Sequence, residues 1–487
     1  MFPRGSRINR LGAAPWMLIL ALIAVVVGYL PTLDAPLFSD DYIYLNASRR
    51  LSFAHYARLS FTPWSHEPLL PFTRDFWRPL SFLYFEAMRP LFGGHVLPYH
   101  LVNLAVHLAG VVLVWVLARR LDARPVVAGV AVLVFALYPG STEAISWISS
   151  INSAGLPFAL ACWLLFLVAT KESQTRWILL AGSTACLAIA LMFRETAATV
   201  VVPVGLWYLL VQRRGALREF ATYKPLLPMA ALLLGYYLIR TRLFSEPAAN
   251  PDIYGFDSKF DNHWWYYIRN TLLPFRDPVT GWRVGAQDVS GVVFLALLML
   301  TLATRKWGAF ALLLSIPIAV VPSSAALLGV GQRYFYFTTP LLALALGLLL
   351  ADARDALGRR VSARLLASTP SLVAAVLFAG FGTYIAFDRN DHWEEIGPDR
   401  EQAWVDELRA EYPTLPAGGT LYCIHVPLVL VVFEAANLLP TVQWLYPDIG
   451  AAVWVPDDKL PPLPGPNDRI FIADDGLLLG RDTTAQK

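Results

Sequence analysis

Apolar residues run along this chain in long blocks, each broken by a short polar or basic joint, and only two longer stretches interrupt that rhythm before residue 387. The blocks hold about 16 to 22 residues, the length that crosses a ~30 Å hydrocarbon core at 1.5 Å per residue. They predict eleven membrane-crossing helices near residues 14–33, 98–118, 125–139, 154–170, 176–193, 196–212, 224–240, 289–304, 307–322, 334–351 and 365–387. The first block follows a basic terminus, MFPRGSRINR, with no small-x-small cleavage site before Pro31. It therefore reads as an uncleaved span rather than a removed signal.

The first interruption is an outer loop, 34–97. Segments such as RPLSFLYFEAMRPLF place apolar residues at helical spacing but are too short and too charged to span, which predicts helices lying along the membrane interface. The second long loop, 241–288, is rich in Trp, Tyr, Pro and Asn. After the last block the tail, 388–487, carries a charged helical stretch, EEIGPDREQAWVDELRAEY. The strand-like runs GGTLYCIHVP, AAVWVP and DRIFIAD follow between Pro and Gly turns. The stretch VPLVLVVFEAANLL, with Glu434 inside it, reads as a helix of the tail rather than a twelfth span. The expectation is an α-helical polytopic membrane domain, 1–387, and a small extracytoplasmic α/β domain, 388–487.

Charge gives the blocks a direction. Alternate joints hold Arg4, Arg7 and Arg10; Arg119, Arg120 and Arg124; Lys171 and Arg176; Arg213, Arg214, Arg218 and Lys224; Arg305 and Lys306; and Arg354, Arg359, Arg360 and Arg364. The short joints on the other side offer only Arg194 and Arg333. Short cytoplasmic loops carry the excess of Lys and Arg, so the amino terminus is expected in the cytoplasm and the tail outside, in an inner (plasma) membrane. Composition agrees: 56% of residues are hydrophobic and 15% charged, where a soluble chain has about a quarter charged. A net charge of +3, widely dispersed, argues against a nucleic-acid partner. Three scattered cysteines make neither a disulfide framework nor a cysteine metal site.

The candidate chemistry gathers on the outer side. Asp40 and Asp41, in LFSDDYIYL, are adjacent carboxylates a few residues past the first span. One can take a proton from an attacking hydroxyl while the other orients it or holds a divalent cation; equally, Ser39 and Asp40 can cap a helix beginning at Asp41. No third metal ligand is visible, and no cofactor is predicted. Arg78 lies in the first outer loop, and His100, Asn103 and His107 share one face of the second span. That face serves a ligand or hydrogen bonds between helices. Glu143 is the single charge of YPGSTEAISWISS. Arg194 and Glu195 sit together at an outer turn in apolar surroundings, where ionisable groups pair or function. Arg333, followed by Tyr334, Phe335 and Tyr336, can fork onto a phosphate at the headgroup plane or simply anchor the interface.

In this order, Asp40-Asp41, RPL at 78–80, YHLVNLAVH at 99–107, YPGSTEAISWISS at 138–150, FRETAATVVVP at 193–203 and QRYFYFTTP at 332–340 resemble the GT-C membrane glycosyltransferases. The likeness is to the protein O-mannosyltransferase-like branch that includes the transmembrane and tetratricopeptide-repeat mannosyltransferases, and it covers about residues 15–350. It implies transfer of one sugar from a polyprenyl-phosphate donor to a protein, glycan or lipid hydroxyl at the outer face, with inversion. By that resemblance the acid pair is catalytic, with Asp41 favoured as the base, and Arg333 binds the donor phosphate. Arg78, His100, Glu143, Arg194, Glu195, Tyr334 and Tyr336 support the substrates. The tail lacks the branch's repeats, which leaves donor sugar and acceptor open. A lipid or glycan flippase, or a non-catalytic subunit of a glycan-assembly complex, stands as the alternative. The gathering of polar residues at outer helix ends, rather than mid-membrane, weighs against transport.

Overall fold

A computed structural model describes residues 14–59, 77–171, 175–243, 260–272, 286–324, 332–358, 379–380, 382–387, 397–427, 438–456, 459 and 461–473. Most of the expected span 365–387, parts of both long loops and most of VPLVLVVFEAANLL lie outside these residues.

In chain order the helices are α1 (Ala14–Gly28), α2 (Asp40–Arg50), α3 (Phe53–Leu59), α4 (Pro79–Phe92), α5 (Val96–Leu121), α6 (Pro125–Ala136), α7 (Thr142–Ser146), α8 (Gly155–Thr170) and α9 (Trp177–Phe193). They continue with α10 (Val201–Trp207), α11 (Leu227–Leu243), α12 (Phe260–Asn270), α13 (Ala286–Ala303), α14 (Trp307–Ala319), α15 (Val321–Ser324), α16 (Thr339–Gly358), α17 (Pro398–Glu411) and α18 (Leu438–Leu445). Strands β1 (Thr420–Ile424), β2 (Ala451–Trp454) and β3 (Arg469–Ile472) fall inside the three strand-like runs of the tail. The molecule is thus mostly helical.

Among the described residues, four helical stretches are long and apolar enough to cross a membrane: Val96–Leu121, Ile148–Thr170, Glu195–Gln212 and Trp307–Ser324. A fifth, Pro125–Ala136 with Pro139–Ser146, is bent by 51°. The bend has a local cause. Pro139 bars its predecessor from helical backbone, and Tyr138 is extended at φ −67°, ψ 117°. Shorter apolar helices are Pro15–Gly28, Trp177–Phe193 and Val289–Ala303.

The chain divides into two compact units. One, the helical unit, holds Met1–Leu30, Asn103–Ile145 and Ile151–Asp388; the other, the composite unit, holds Pro31–Val102, Ser146–Ser150 and Arg389–Lys487. In the helical unit, small residues let backbones approach. A Cβ on Gly347 of α16 would sit 2.6 Å from the Val127 carbonyl of α6, and one on Gly155 of α8 would sit 2.9 Å from the Ala190 carbonyl of α9. Lipid tails are as apolar as leucine, so such close van der Waals packing drives helix association there. At the ends of α6, α14 and α16 an ion network ties the joints. Arg124 meets Asp122, Asp352 and Asp355 at 2.7–2.8 Å, and Lys306 meets Asp352 at 2.7 Å.

In the composite unit the tail strands form a parallel sheet of order β2-β1-β3. On it lies a core of Trp404, Val405 and Leu408 from α17, Leu438 and Val442 from α18, and Leu421, Cys423 and Phe471 from the sheet. Beside the tail in the same unit, α2 packs on α4 through Tyr44, whose ring stacks on Phe85 at 4.8 Å and meets Phe82 edge-on at 5.1 Å. Such pairs add about 0.5–1.5 kcal/mol each beyond their burial. Arg49 of α2 donates to the Gln443 and Trp444 carbonyls at the end of α18 (2.7 and 3.1 Å) and lies over the Trp444 ring.

Candidate active site

The acid pair opens α2. Ser39 is its N-cap and Asp40 its first residue, one residue earlier than a cap by Ser39 and Asp40 would require, and Ser39 makes no side-chain capping bond. Both carboxylates stand in the first turn, where the unsatisfied N–H groups and the helix dipole favour negative charge. Ser39 adopts φ 53°, ψ −115°, a backbone region that costs a residue with a Cβ on the order of 1–3 kcal/mol and persists only where neighbours hold it.

Those neighbours are specific. Asp41 is 1% exposed. Its Oδ2 accepts the Phe38 N–H at 3.0 Å, and its Oδ1 accepts the Ser149 N–H at 2.6 Å. The Trp147 indole donates to the Phe38 carbonyl at 3.1 Å. The segment Ser146–Ser150 therefore clasps the turn from two sides. Asp40 is half-buried.

One partner was not legible as a site residue. Glu401 of α17, fully buried, accepts the Ser39 N–H at 2.8 Å and the Thr441 hydroxyl at 3.4 Å. Burial pushes the Asp41 carboxyl from its ordinary 3.8 up to about 8, against the pull of its two amide donors, with Asp40 adding repulsion. Burial likewise pushes Glu401 from 4.5 up to about 8, with the Asp41 charge adding to it. Tyr42 faces both carboxylates, and burial first, then Glu401, raises its hydroxyl well above the usual range. A signal for Glu401 did exist in the sequence. It occupies the stripe of Trp404, Val405 and Leu408 on α17, and all four are buried. An acid on the apolar stripe of an amphipathic helix needs a partner.

The other candidates of the composite unit are placed as follows. Arg78 is the buried N-cap residue of α4. His100 is buried, with Nε2 2.9 Å from the Ala35 carbonyl.

The helical unit holds a second cluster. Glu143 grips Arg333 twice, accepting its backbone N–H at 3.0 Å and its guanidinium at 2.7 Å. This fixes the 3-10 turn Gln332–Phe337 that leads into α16. The Arg333 guanidinium lies 5.6 Å from the centre of the Tyr334 ring, and that of Arg194, buried at 1% exposure, lies 5.0 Å from the same ring. Three charged candidates from three distant stretches of sequence are thus drawn together, Arg194 and Arg333 at the Tyr334 ring and Glu143 on Arg333. Glu195 is the half-buried first residue of the next 3-10 turn. Tyr336 lies elsewhere, against His107 and Phe135. It is buried there, and the His107 Nδ1 lies 3.0 Å from the Tyr336 hydroxyl. That is the hydrogen bond between helices that polar residues on apolar spans make. Among the described residues no group of three or more His, Cys, Asp or Glu is placed to hold a metal ion.

A family model described as Dolichyl-phosphate-mannose-protein mannosyltransferase matches residues 78–239. The chain is similar to Protein O-mannosyl-transferase TMTC2 of Homo sapiens, 26% identical over 222 residues, which is 42% of this chain and 25% of that protein. It is 32% identical over 195 residues to Protein O-mannosyl-transferase tmtc2 of Xenopus laevis, covering 36% of this chain and 21% of the relative. The chain spans a quarter or less of the length of the curated relatives it matches. Its fold is similar to that of ArnT from Cupriavidus metallidurans, solved bound to undecaprenyl phosphate. That comparison has a TM-score of 0.50 and 15% identity, and covers 87% of this chain and 85% of ArnT. The apo form of the same protein gives 0.51 at 14% identity.

Proposed function

We propose that this chain, O-mannosyltransferase-like in sequence and GT-C-type in fold, moves a single sugar from a polyprenyl-phosphate carrier to an acceptor hydroxyl at the outer face of the membrane. The observation that carries the reading is the pair of guanidiniums, Arg333 and Arg194, at the Tyr334 ring, with Glu143 on Arg333. Two guanidiniums at one aromatic suit a lipid-borne phosphate, and a guanidinium fork with five donors can hold Glu143 and a phosphate oxygen together. Developing charge on the departing phosphate is what such fixed cations stabilise. The likeness to a protein solved with undecaprenyl phosphate supports the same donor class.

In this reading Asp40, the more accessible member of the pair, is the base, reversing the preference for Asp41. Asp41, buried and bonded to two backbone amides, holds the turn. The Asp40 carboxylate takes the acceptor's proton, and the acceptor oxygen bonds to the anomeric carbon. The carbon–oxygen bond to phosphate breaks, and polyprenyl phosphate leaves with the electron pair. Attack and departure on opposite faces of that carbon invert its configuration. The eleven spans, a cytoplasmic amino terminus, an extracytoplasmic tail and residence in the inner (plasma) membrane belong to the same proposal.

The test is turnover by the full chain in liposomes, given polyprenyl-phosphate mannose or glucose and a panel of peptide, glycan and lipid acceptors, with the product anomer read by NMR. Donor consumption that stops in Asp40→Asn and in Arg333→Ala, with both variants folded, is the expected result. Turnover indifferent to both substitutions would sink the reading.

A further inference from the structure

We infer that the tail completes the catalytic turn, with Glu401 acting as a positioning residue that holds Ser39 and thereby sets the direction of Asp40. The inference rests on the glycosyl-transfer reading for its consequence, and on the composite unit alone for its geometry.

A helix start leaves backbone N–H groups without intrahelical partners. The usual local remedy is a capping box, in which the N-cap side chain serves the N3 amide and an acidic or amide side chain at N3 reaches back to the N-cap N–H. Helix α2 has neither half of it. Ser39 at the N-cap makes no capping bond, and N3 is Tyr42, whose hydroxyl cannot stand in for a carboxylate. The missing acceptor comes instead from more than three hundred residues further along the chain. Glu401 Oε2 takes the Ser39 N–H at 2.8 Å, performing the N3 acid's task from α17.

The bond falls at the strained residue. Ser39 has φ 53°, and the residue after it is Asp40. Relaxing Ser39 toward ordinary backbone would rotate the chain on which the Asp40 carboxylate is mounted. Phe38 on the other side is already tied, through its N–H to Asp41 and its carbonyl to Trp147. Glu401 is itself located by Thr441 of α18, and α17 and α18 share the tail's apolar core. The turn is therefore referenced to the folded tail. Glu401 is also a costly residue to keep. It is fully buried, and the carboxylates of Asp40 and Asp41 and the Tyr42 hydroxyl are the titratable groups that face it from α2. A buried acid in such company is retained where its bond matters.

The experiment compares full-chain Glu401→Ala and Glu401→Gln with the unaltered protein in liposomes. One readout is hydrogen–deuterium exchange of residues 38–42; the other is kcat and donor KM with polyprenyl-phosphate mannose. Expected in Glu401→Ala are exchange faster by about tenfold or more at the turn, kcat lower by roughly 10- to 100-fold, and donor KM nearly unchanged. Glu401→Gln keeps an acceptor oxygen for Ser39 and returns both readouts to within about threefold. Unchanged exchange in Glu401→Ala overturns the contact, whatever the activity does. Faster exchange with undiminished kcat overturns the positioning role. A protein that consumes none of the lipid-linked sugars, before any substitution, strikes down the transfer reading and the positioning role with it, and the exchange result then speaks only for the contact.

Discussion

At the acid turn, Asp41 and Glu401 are buried and accept backbone N–H groups, whereas at the arginine cluster Glu143 and Arg333 keep 20% and 26% of their side chains exposed and pair with each other. The first arrangement locks geometry and strains protonation; the second pairs opposite charges that are partly open to solvent. Backbone donors are rigid, so a carboxylate bound to them reports and enforces the path of the chain. A guanidinium fork on a flexible stem can hold one acceptor and meet another. Under the proposed transfer, a base calls for a fixed direction, and a cation calls for freedom to follow a phosphate as its charge grows.

The comparison breaks first at Asp40. Asp40→Asn should lower transfer by about 10²–10⁴-fold, the range of a positioned general base, with thermal stability unchanged; a small effect would return the role to Asp41. Arg333→Lys keeps the charge but loses the planar fork, and should lower kcat/KM for the donor by about 10- to 100-fold, read from initial rates at varied donor.

Protonation sharpens the contrast next. The native pKa values of Asp41 and Glu401 stand at about 8, above the ordinary 3.8 and 4.5, so between those limits the folded chain holds protons that the unfolded chain has released. Stability then falls as pH rises. The stabilisation is fully present below pH 3.8 and is lost as pH rises through about 8. A melting series from pH 5 to 9 should decline, and Glu401→Gln should make the decline shallower while Asp41 still titrates. The smallest effect is expected at Tyr336→Phe. It removes the bond to His107 at a cost of about 0.6 kcal/mol in thermal unfolding and leaves donor turnover untouched, which would separate Tyr336 from Tyr334.

The length of the apolar blocks made the apolar helices legible, and short apolar runs between Pro and Gly turns marked the three strands of the tail. Asp40, Asp41, Glu143, Arg194 and Arg333 stood out because charge is costly beside apolar blocks. What they touch was another matter. The pairing of Glu143 with Arg333 joins residues 190 positions apart, and no pattern within either motif names the other. His100, Asn103 and His107 share a helix face by spacing, yet His107 is engaged by Tyr336 and His100 by the Ala35 carbonyl.

By itself, then, the sequence determined which segments are apolar helices, which residues are too expensive to be incidental, and the resemblance of their order to the mannosyltransferase-like proteins. Those follow from local composition and spacing, which every stretch of chain carries with it. Only the tertiary structure decided that Asp41 is the buried, amide-bound member of the pair and Asp40 the accessible one, and that Glu401 answers for the cap that α2 lacks. A hydrogen bond between Ser39 and Glu401 spans 362 positions and depends on how the tail folds. Its worth comes from excluding water around both groups, which no local pattern encodes.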